Sequence, residues 1–174
     1  MGKSLDPTRV YHVLFLCTGN SARSILAEAV LARLGSPRFQ SYSAGSHPKD
    51  APHPMTLETL SRLGYETKGF RSKSWEEFAG PGSPKLDFIF TVCDDAAGEA
   101  CPIWPGQPIT AHWGVRDPAS FEGSPADTLA FFEEIHDQLA AKVAAFVRLD
   151  PTSLSPQELS ARLDEIGRNS SANT

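Results

Sequence analysis

The feature that most restricts the fold is a short loop, CTGNSAR at residues 17–23, which joins two regular segments. Residues 11–16 before the loop are apolar except for His12, which is typical of a strand buried on both faces of a sheet. Residues 24–34 after the loop repeat apolar side chains at helical spacing, and Gly35 is a suitable helix end. A buried strand that leads directly into a helix is the unit from which parallel sheets are built.

The same alternation of strands and helices continues along the chain. Further strands are predicted at residues 39–44, 86–92 and 109–113, a helical turn at 74–78, and helices at 54–63, within 124–149 and from 155 to about 166. We therefore predict an α/β fold, a single domain with a central four-stranded, mainly parallel sheet and helices on both faces. The domain is expected to span residues 10–150, and residues 151–174 are expected to form a C-terminal extension with a short helix and a frayed tail.

Composition excludes several classes of protein. The net charge of −5 disfavours a nucleic-acid binder and a protein that binds anionic membranes. No segment approaches the roughly 18 apolar residues of a membrane span, and residues 1–10 lack the apolar core of a secretory signal, so a cytoplasmic protein is expected. Three cysteines in a reducing compartment do not form a structural disulfide framework. Cys93 and Cys101 lack a CxxC or histidine partner at ligand spacing, so no metal site is predicted.

The loop after the first strand is suited to binding a tetrahedral oxyanion. Its small residues allow the backbone amides to curl inward, and the helix that follows adds positive potential. Arg23 can donate two parallel hydrogen bonds to such an anion. We expect the positive field of the amides, the helix and Arg23 to lower the pKa of Cys17. Ser24 is expected to donate a hydrogen bond to the Cys17 sulfur. The alternative is a buried structural cysteine beside an incidental arginine. The expected oxyanion-binding residues are Thr18, Gly19, Asn20, Ser21, Ala22 and Ser24.

Two further positions follow predicted strands and should reach the same edge of the sheet. Asp117 is a candidate proton donor to a leaving oxygen, although an aspartate before Pro118 is also common in turns. Cys93 and Cys101 flank a polar segment and could relay a disulfide from Cys17, or could be two partly buried cysteines. The five histidines are assigned no role: His12, His47, His53, His112 and His136.

Several motifs in one order resemble the arsenate reductases of the low-molecular-weight tyrosine-phosphatase fold, and the thioredoxin-coupled branch most. These motifs are LCTGNSARS followed by AEA, SAG at 43–45, Pro54, LG at 63–64, TVCDDAAGEACP, HWGVRDPA, and AFFEEI at 130–135. The resemblance implies a phosphatase-type P-loop and the reduction of arsenate to arsenite in arsenic detoxification. It also implies that no metal or organic cofactor takes part.

The resemblance further implies a role for each cysteine. Cys17 attacks arsenate while Arg23 and the loop amides hold the oxygens, and Asp117 assists the leaving group. Cys93 then displaces arsenite from Cys17, and Cys101 resolves the resulting disulfide. Phosphate and sulfate are expected to compete with arsenate. Thioredoxin is the favoured reductant, with glutaredoxin or a low-molecular-weight thiol left open, and a monomer is expected.

The chain also departs from the family pattern at two places. The segment between Cys93 and Cys101 is one residue longer than in the thioredoxin-coupled members. Lys73 stands where some relatives carry an acid that helps bind potassium, so no potassium requirement is predicted. Two alternative functions remain: a protein tyrosine phosphatase, which needs neither Cys93 nor Cys101, and an oxyanion-binding sensor without turnover.

Overall fold

A computed structural model of the protein describes residues 9–94, 104 and 106–169. Its sheet contains β1 (Tyr11–Cys17), β2 (Phe39–Gly45), β3 (Phe88–Thr91) and β4 (Ile109–His112). The strand order is β2-β1-β3-β4, and every neighbouring pair is parallel. The predicted parallel α/β sheet is therefore confirmed. The third strand is shorter than the predicted segment 86–92, although Leu86 and Val92 are buried. The amides of Asp87 and Val92 still donate to carbonyls of β1, both at 2.8 Å, so the pairing extends one residue beyond the strand on each side.

Four α-helices connect or flank these strands in the described part of the chain. They are α1 (Arg23–Gly35), α2 (Pro54–Arg62), α3 (Pro125–Val147) and α4 (Pro156–Arg168), with short 3-10 helices at Trp75–Phe78 and Pro118–Ser120. Serine side chains cap α3 and α4: Ser124 accepts from the Asp127 amide at 3.0 Å, and Ser155 accepts from the Glu158 amide at 3.1 Å. In both helices a proline in the first turn follows the cap, where its missing amide hydrogen costs nothing.

The core has two parts, one on each face of the sheet. On the first face, α1, α2, α3 and α4 bury apolar side chains against the strands, and Trp113 stacks on Phe90 with 3.8 Å between ring centroids. On the second face, the 3-10 helix Trp75–Phe78 and Trp104 cover Leu14, Leu16 and Ile89. Both faces of the sheet are thus covered. Because all four strands are parallel, the loops that follow them meet at the carboxyl edge of the sheet.

The helix predicted in the C-terminal extension is present as α4 and packs as part of the core. Leu159, Leu163 and Ile166 are buried in the main apolar cluster. The indole of Trp113 donates to the Leu163 carbonyl at 3.0 Å, and the Lys142 ammonium donates to three carbonyls at the end of α4. Residues 170–174, predicted as part of the frayed tail, lie outside the described residues. None of the described helices has the length and apolar character needed to cross a membrane.

Candidate active site

The loop after β1 occupies the carboxyl edge of the sheet, between Cys17 at the end of the strand and Arg23 at the start of α1. It packs against the end of β2, where Gly45 pairs with Cys17. A Cβ atom at Gly45 would lie 2.4 Å from the Thr18 carbonyl oxygen, which is far inside van der Waals contact. Only glycine therefore fits at the end of β2 without displacing the loop.

The carbonyl groups of the loop point away from Cys17 and are bound by surrounding residues. The amides of His47 and Lys49 donate to Thr18 and Gly19, both at 2.9 Å. The Ser72 hydroxyl donates to the Asn20 carbonyl at 2.6 Å. The Ser21 carbonyl accepts two hydrogen bonds, from the His53 amide at 2.9 Å and from the Thr56 hydroxyl at 2.8 Å. Because N–H and C=O groups point in opposite directions across a peptide plane, this arrangement leaves loop amides facing inward. Such a geometry is able to hold an oxyanion, and the role of the loop residues in binding one stays a prediction.

Asn20 connects the loop to the strand and helix beneath it. Its backbone is left-handed, with φ of +46°, and its residue is fully buried. Its side-chain amide donates to the Ser24 hydroxyl at 2.8 Å and to the Ser43 hydroxyl at 3.0 Å, and its oxygen accepts from the Lys73 amide at 2.9 Å. Asparagine tolerates this conformation better than most residues do. The side chain thus satisfies its polar atoms and fixes the curl of the loop.

The sulfur of Cys17 lies at the floor of this loop. It is 2.9 Å from the Ser24 hydroxyl oxygen and accepts the Asn20 amide at 3.2 Å. Burial raises the pKa of the Cys17 thiol more than the hydrogen bonds from Ser24 and Asn20 lower it, and the nearby Cys93 adds to the increase. The prediction that the loop lowers this pKa is therefore wrong for the protein without an anion. Desolvation outweighs the field of the amides.

The guanidinium of Arg23 is bound to other groups of the protein. Its Nη1 donates to the Val115 carbonyl at 3.2 Å, and its Nη2 lies 3.7 Å from an Asp117 carboxylate oxygen. The other oxygen of Asp117 accepts the Ala119 amide at 2.9 Å and caps the 3-10 helix that follows. Asp117 is thus both a turn residue and a neighbour of the arginine. Arg23 and Asp117 line a cavity of about 510 Å³ together with Cys17.

The second predicted thiol lies at the same edge. Cys93 follows β3, is buried, and has its sulfur 3.7 Å from the Thr18 hydroxyl oxygen. It lines a neighbouring cavity of about 400 Å³ that also contacts Arg23 and Asp117. Cys17 and Cys93 are both buried cysteines. The structure thus brings Cys17, Arg23, Cys93 and Asp117 together, whereas Cys101 lies outside the described residues.

Sequence patterns did not indicate the polar cluster beneath the loop. The Lys73 ammonium lies 2.9 Å from the Arg71 carbonyl and 3.4 Å from both Ser43 and Asn20 oxygens. Glu28, on α1, accepts a short hydrogen bond from Ser43. Burial lowers the pKa of Lys73 and raises the pKa of Glu28, so each favours the neutral form more than it would in water. Of these residues, the sequence analysis singled out Lys73 alone, as a departure from the family pattern.

His112 also has a contact that the sequence did not predict. Its ring lies between Asp94 and Thr91, at 2.7 Å from an oxygen of each, and so joins β4 to the residue after Cys93. His47 lines the cavity that holds Cys17, and the backbone amides of His47 and His53 bind carbonyls of the loop. Among the described residues, no group of three or more His, Cys, Asp or Glu side chains is placed to hold a metal ion.

Comparisons with known proteins identify the family. The model of the low molecular weight phosphotyrosine protein phosphatase family matches residues 12–160. The arsenate reductase of Shouchella clausii is 31% identical over 134 residues, which are 77% of this chain and 93% of that protein. The structure of an arsenate reductase from Archaeoglobus fulgidus, 27% identical, covers 76% of this chain and 98% of its own with a TM-score of 0.53. A low-molecular-weight phosphotyrosine phosphatase from Vibrio cholerae O395 shares the fold at 22% identity, with a TM-score of 0.63 over 79% of this chain and 95% of its own. The chain therefore belongs to the low molecular weight phosphotyrosine protein phosphatase family.

Proposed function

We propose that this protein reduces arsenate to arsenite through a relay of cysteine thiols, as part of arsenic detoxification. The observation that carries the proposal is the meeting of two cysteines, Cys17 and Cys93, at the floor and rim of one oxyanion loop. A phosphatase reaction needs one nucleophile at such a loop, whereas a reduction needs a second thiol to accept the oxidation. The arsenate reductase of Shouchella clausii, at 31% identity, supports this reading.

In the first step, the Cys17 sulfur attacks arsenic and forms a sulfur–arsenic bond. One arsenate oxygen leaves as water, which carries away the thiol proton and a substrate proton. The inward amides of the loop hold the other oxygens, and Arg23 exchanges the Val115 carbonyl for the anion. Because the pKa of Cys17 is raised, the anion itself is the acceptor for the thiol proton as the bond forms. Asp117, on the wall of the same cavity, takes up this proton from the anion and delivers it to the leaving oxygen, so that its own protonation state is unchanged after the step.

In the second step, the Cys93 sulfur attacks the sulfur of Cys17. A disulfide forms, the sulfur–arsenic bond breaks, and its electron pair leaves with arsenic, which is reduced from As(V) to As(III) and departs as arsenite. The proton of the Cys93 thiol goes to the arsenite oxygens. Cys101 then attacks Cys93, which regenerates the Cys17 thiol and leaves a Cys93–Cys101 disulfide.

The oxidised pair requires an external dithiol or thiol reductant. Thioredoxin is the proposed donor, because a disulfide between two cysteines of one segment is a substrate that a dithiol protein exchanges with directly. Glutaredoxin with glutathione, or another low-molecular-weight thiol, is the alternative donor. Phosphate and sulfate share the tetrahedral shape of arsenate and should compete for the loop. The proposed form of the protein is a cytoplasmic monomer.

Phosphotyrosine phosphatase activity is the second candidate function. The same cavity holds Cys17, Arg23 and Asp117, which are the groups that a phosphatase of this family requires. The residues after Asp117-Pro118 are Ala119, Ser120 and Phe121, and contain no tyrosine of the kind that such phosphatases often place there. Together with the second thiol, this makes reduction the better supported activity.

Substitution of the second and third thiols separates these functions. The variants Cys93→Ser and Cys101→Ser should lose multiple-turnover arsenate reduction but keep hydrolysis of an aryl phosphate, while Cys17→Ser should lose both. Arsenite can be measured together with the release of the aryl alcohol from the same preparations. If both serine variants reduce arsenate as fast as the parent, the relay is refuted. An oxyanion-binding sensor would instead bind phosphate and show neither turnover.

A further inference from the structure

One wall of the oxyanion cavity is formed by the chain that follows β2. His47 and Lys49 line this wall, and Asp117 and Ser120 line the same cavity. The amides of His47 and Lys49 donate to the loop carbonyls of Thr18 and Gly19, so this segment is fixed against the loop by its backbone. These two backbone hydrogen bonds therefore hold the backbone of Lys49 in place beside the cavity.

The aliphatic part of Lys49 lies directly over Gly19. A Cβ atom at Gly19 would be 3.2 Å from Cγ and 3.4 Å from Cε of Lys49. The absence of a side chain at Gly19 is what gives the lysine this space. The ammonium is attached one bond beyond Cε, so it lies close to a stem that packs on the loop, and Lys49 is one of the residues that line the cavity.

The cationic side chains around the cavity differ in whether they are already bound to other groups of the protein. Arg23 is engaged with the Val115 carbonyl and lies near Asp117, and Lys73 donates to the Arg71 carbonyl beneath the loop. Lys49 forms no ion pair with any carboxylate in the part of the chain that the structure describes. The chain as a whole carries a net charge of −5, which opposes the approach of an anion.

We infer that Lys49 is a substrate-binding residue that captures a tetrahedral inorganic oxyanion at the cavity mouth before Arg23 engages it. The lysine offsets the repulsion of the acidic chain where the anion enters, and it does so without rearrangement of any ion pair. Arg23 then leaves Val115 and completes the site. The inference rests on the proposed function for the identity of the oxyanion as arsenate, but capture of phosphate requires only the cavity.

Kinetics of Lys49→Met, Lys49→Arg and Lys68→Met test the inference. Lys68 is exposed, does not line the cavity, and its substitution removes the same charge from the chain. For Lys49→Met we expect the arsenate KM to rise about 5- to 10-fold, kcat to change by less than about 2-fold, and kcat/KM to depend less on ionic strength. Lys49→Arg should restore KM, and Lys68→Met should match the parent. A parental KM for Lys49→Met, or a loss confined to kcat, overturns the inference.

A binding assay keeps the test independent of turnover. In a Cys93→Ser/Cys101→Ser background, Cys17 is the remaining thiol, since the chain has three cysteines. Inorganic phosphate should protect this thiol from iodoacetamide, and Lys49→Met should raise the protecting concentration about 5- to 10-fold while Lys68→Met leaves it unchanged. Equal protection with and without Lys49 overturns the inference. Absence of arsenate turnover with intact, Lys49-dependent protection would refute the proposed function and leave this inference standing.

Discussion

Replacement of Asn20 by alanine should destabilise the protein and open the oxyanion loop. Asn20 is fully buried, has φ of +46°, and uses its side chain to bind Ser24, Ser43 and the amide of Lys73. Alanine removes these three hydrogen bonds, and a longer fourth one from the Lys73 ammonium at 3.4 Å, and leaves the hydroxyls of Ser24 and Ser43 buried. It also disfavours the left-handed backbone that the loop requires at this position.

The magnitude follows from these contacts. Three buried hydrogen bonds at about 1 kcal/mol each contribute about 3 kcal/mol, and the strained backbone of alanine adds about 1 kcal/mol. Asn20→Ala should therefore lower the free energy of unfolding by about 4 kcal/mol, a large part of the roughly 5–15 kcal/mol typical of a domain. Asn20→Gly loses the same side chain but adopts φ of +46° without strain, so it should be less destabilised than Asn20→Ala by up to about 1 kcal/mol.

Urea denaturation of the two variants and the parent measures both contributions. Iodoacetamide labelling of Cys17 should in addition be faster in Asn20→Ala than in the parent, because the loop no longer shields the sulfur. A loss of less than about 1 kcal/mol in Asn20→Ala would refute the claim that these bonds hold the loop. If Asn20→Gly is no more stable than Asn20→Ala, the left-handed backbone at position 20 does not disfavour alanine.

Four further outcomes are expected. Because burial raises the pKa of Cys17, labelling of the single-thiol variant without anion should show its inflection above the ordinary value of about 8.5, and Ser24→Ala should move it higher; an inflection below that value contradicts the geometry. Gly45→Ala should abolish both arsenate reduction and aryl phosphate hydrolysis, because the alanine Cβ would clash with the Thr18 carbonyl oxygen and displace the loop. Either activity at the parental rate would contradict this. Leu163→Ala should lower the free energy of unfolding, measured in urea, by about 2–5 kcal/mol, because its side chain is buried. A small change would contradict the packing of α4 in the core. Turnover in potassium chloride and in sodium chloride of equal ionic strength should agree, because the Lys73 ammonium lies within 3.4 Å of the Asn20 and Ser43 oxygens, and stimulation by potassium would oppose this.

The sequence was sufficient to predict features set by local pattern. The apolar run at 11–16, the small residues that follow and the helical spacing after them located β1, the loop and α1 closely. Because parallel strands end at one edge, the order of elements also placed Cys93 and Asp117 near Cys17. The roles assigned to these residues stay predictions, as does the boundary of the domain at residue 150.

Features that depend on contacts between distant segments were beyond the sequence. Arg23 binds the carbonyl of Val115, and Lys49 packs on Gly19; neither pairing has a local signature. The direction of the Cys17 pKa was mispredicted for the same reason. Amides and a nearby arginine are visible in the sequence as a favourable field, whereas the desolvation that outweighs them arises only when the loop is packed against β2.

A single turnover followed by disulfide mapping tests the relay most directly. One equivalent of arsenate is added to fully reduced Cys101→Ser protein without an external reductant, and the reaction is quenched with acid before peptide mapping. We expect a Cys17–Cys93 disulfide and arsenite in equal amounts, and a Cys93–Cys101 disulfide in the parent protein under the same conditions. Arsenite formed while Cys17 and Cys93 remain thiols, or no arsenite at all, would contradict the relay.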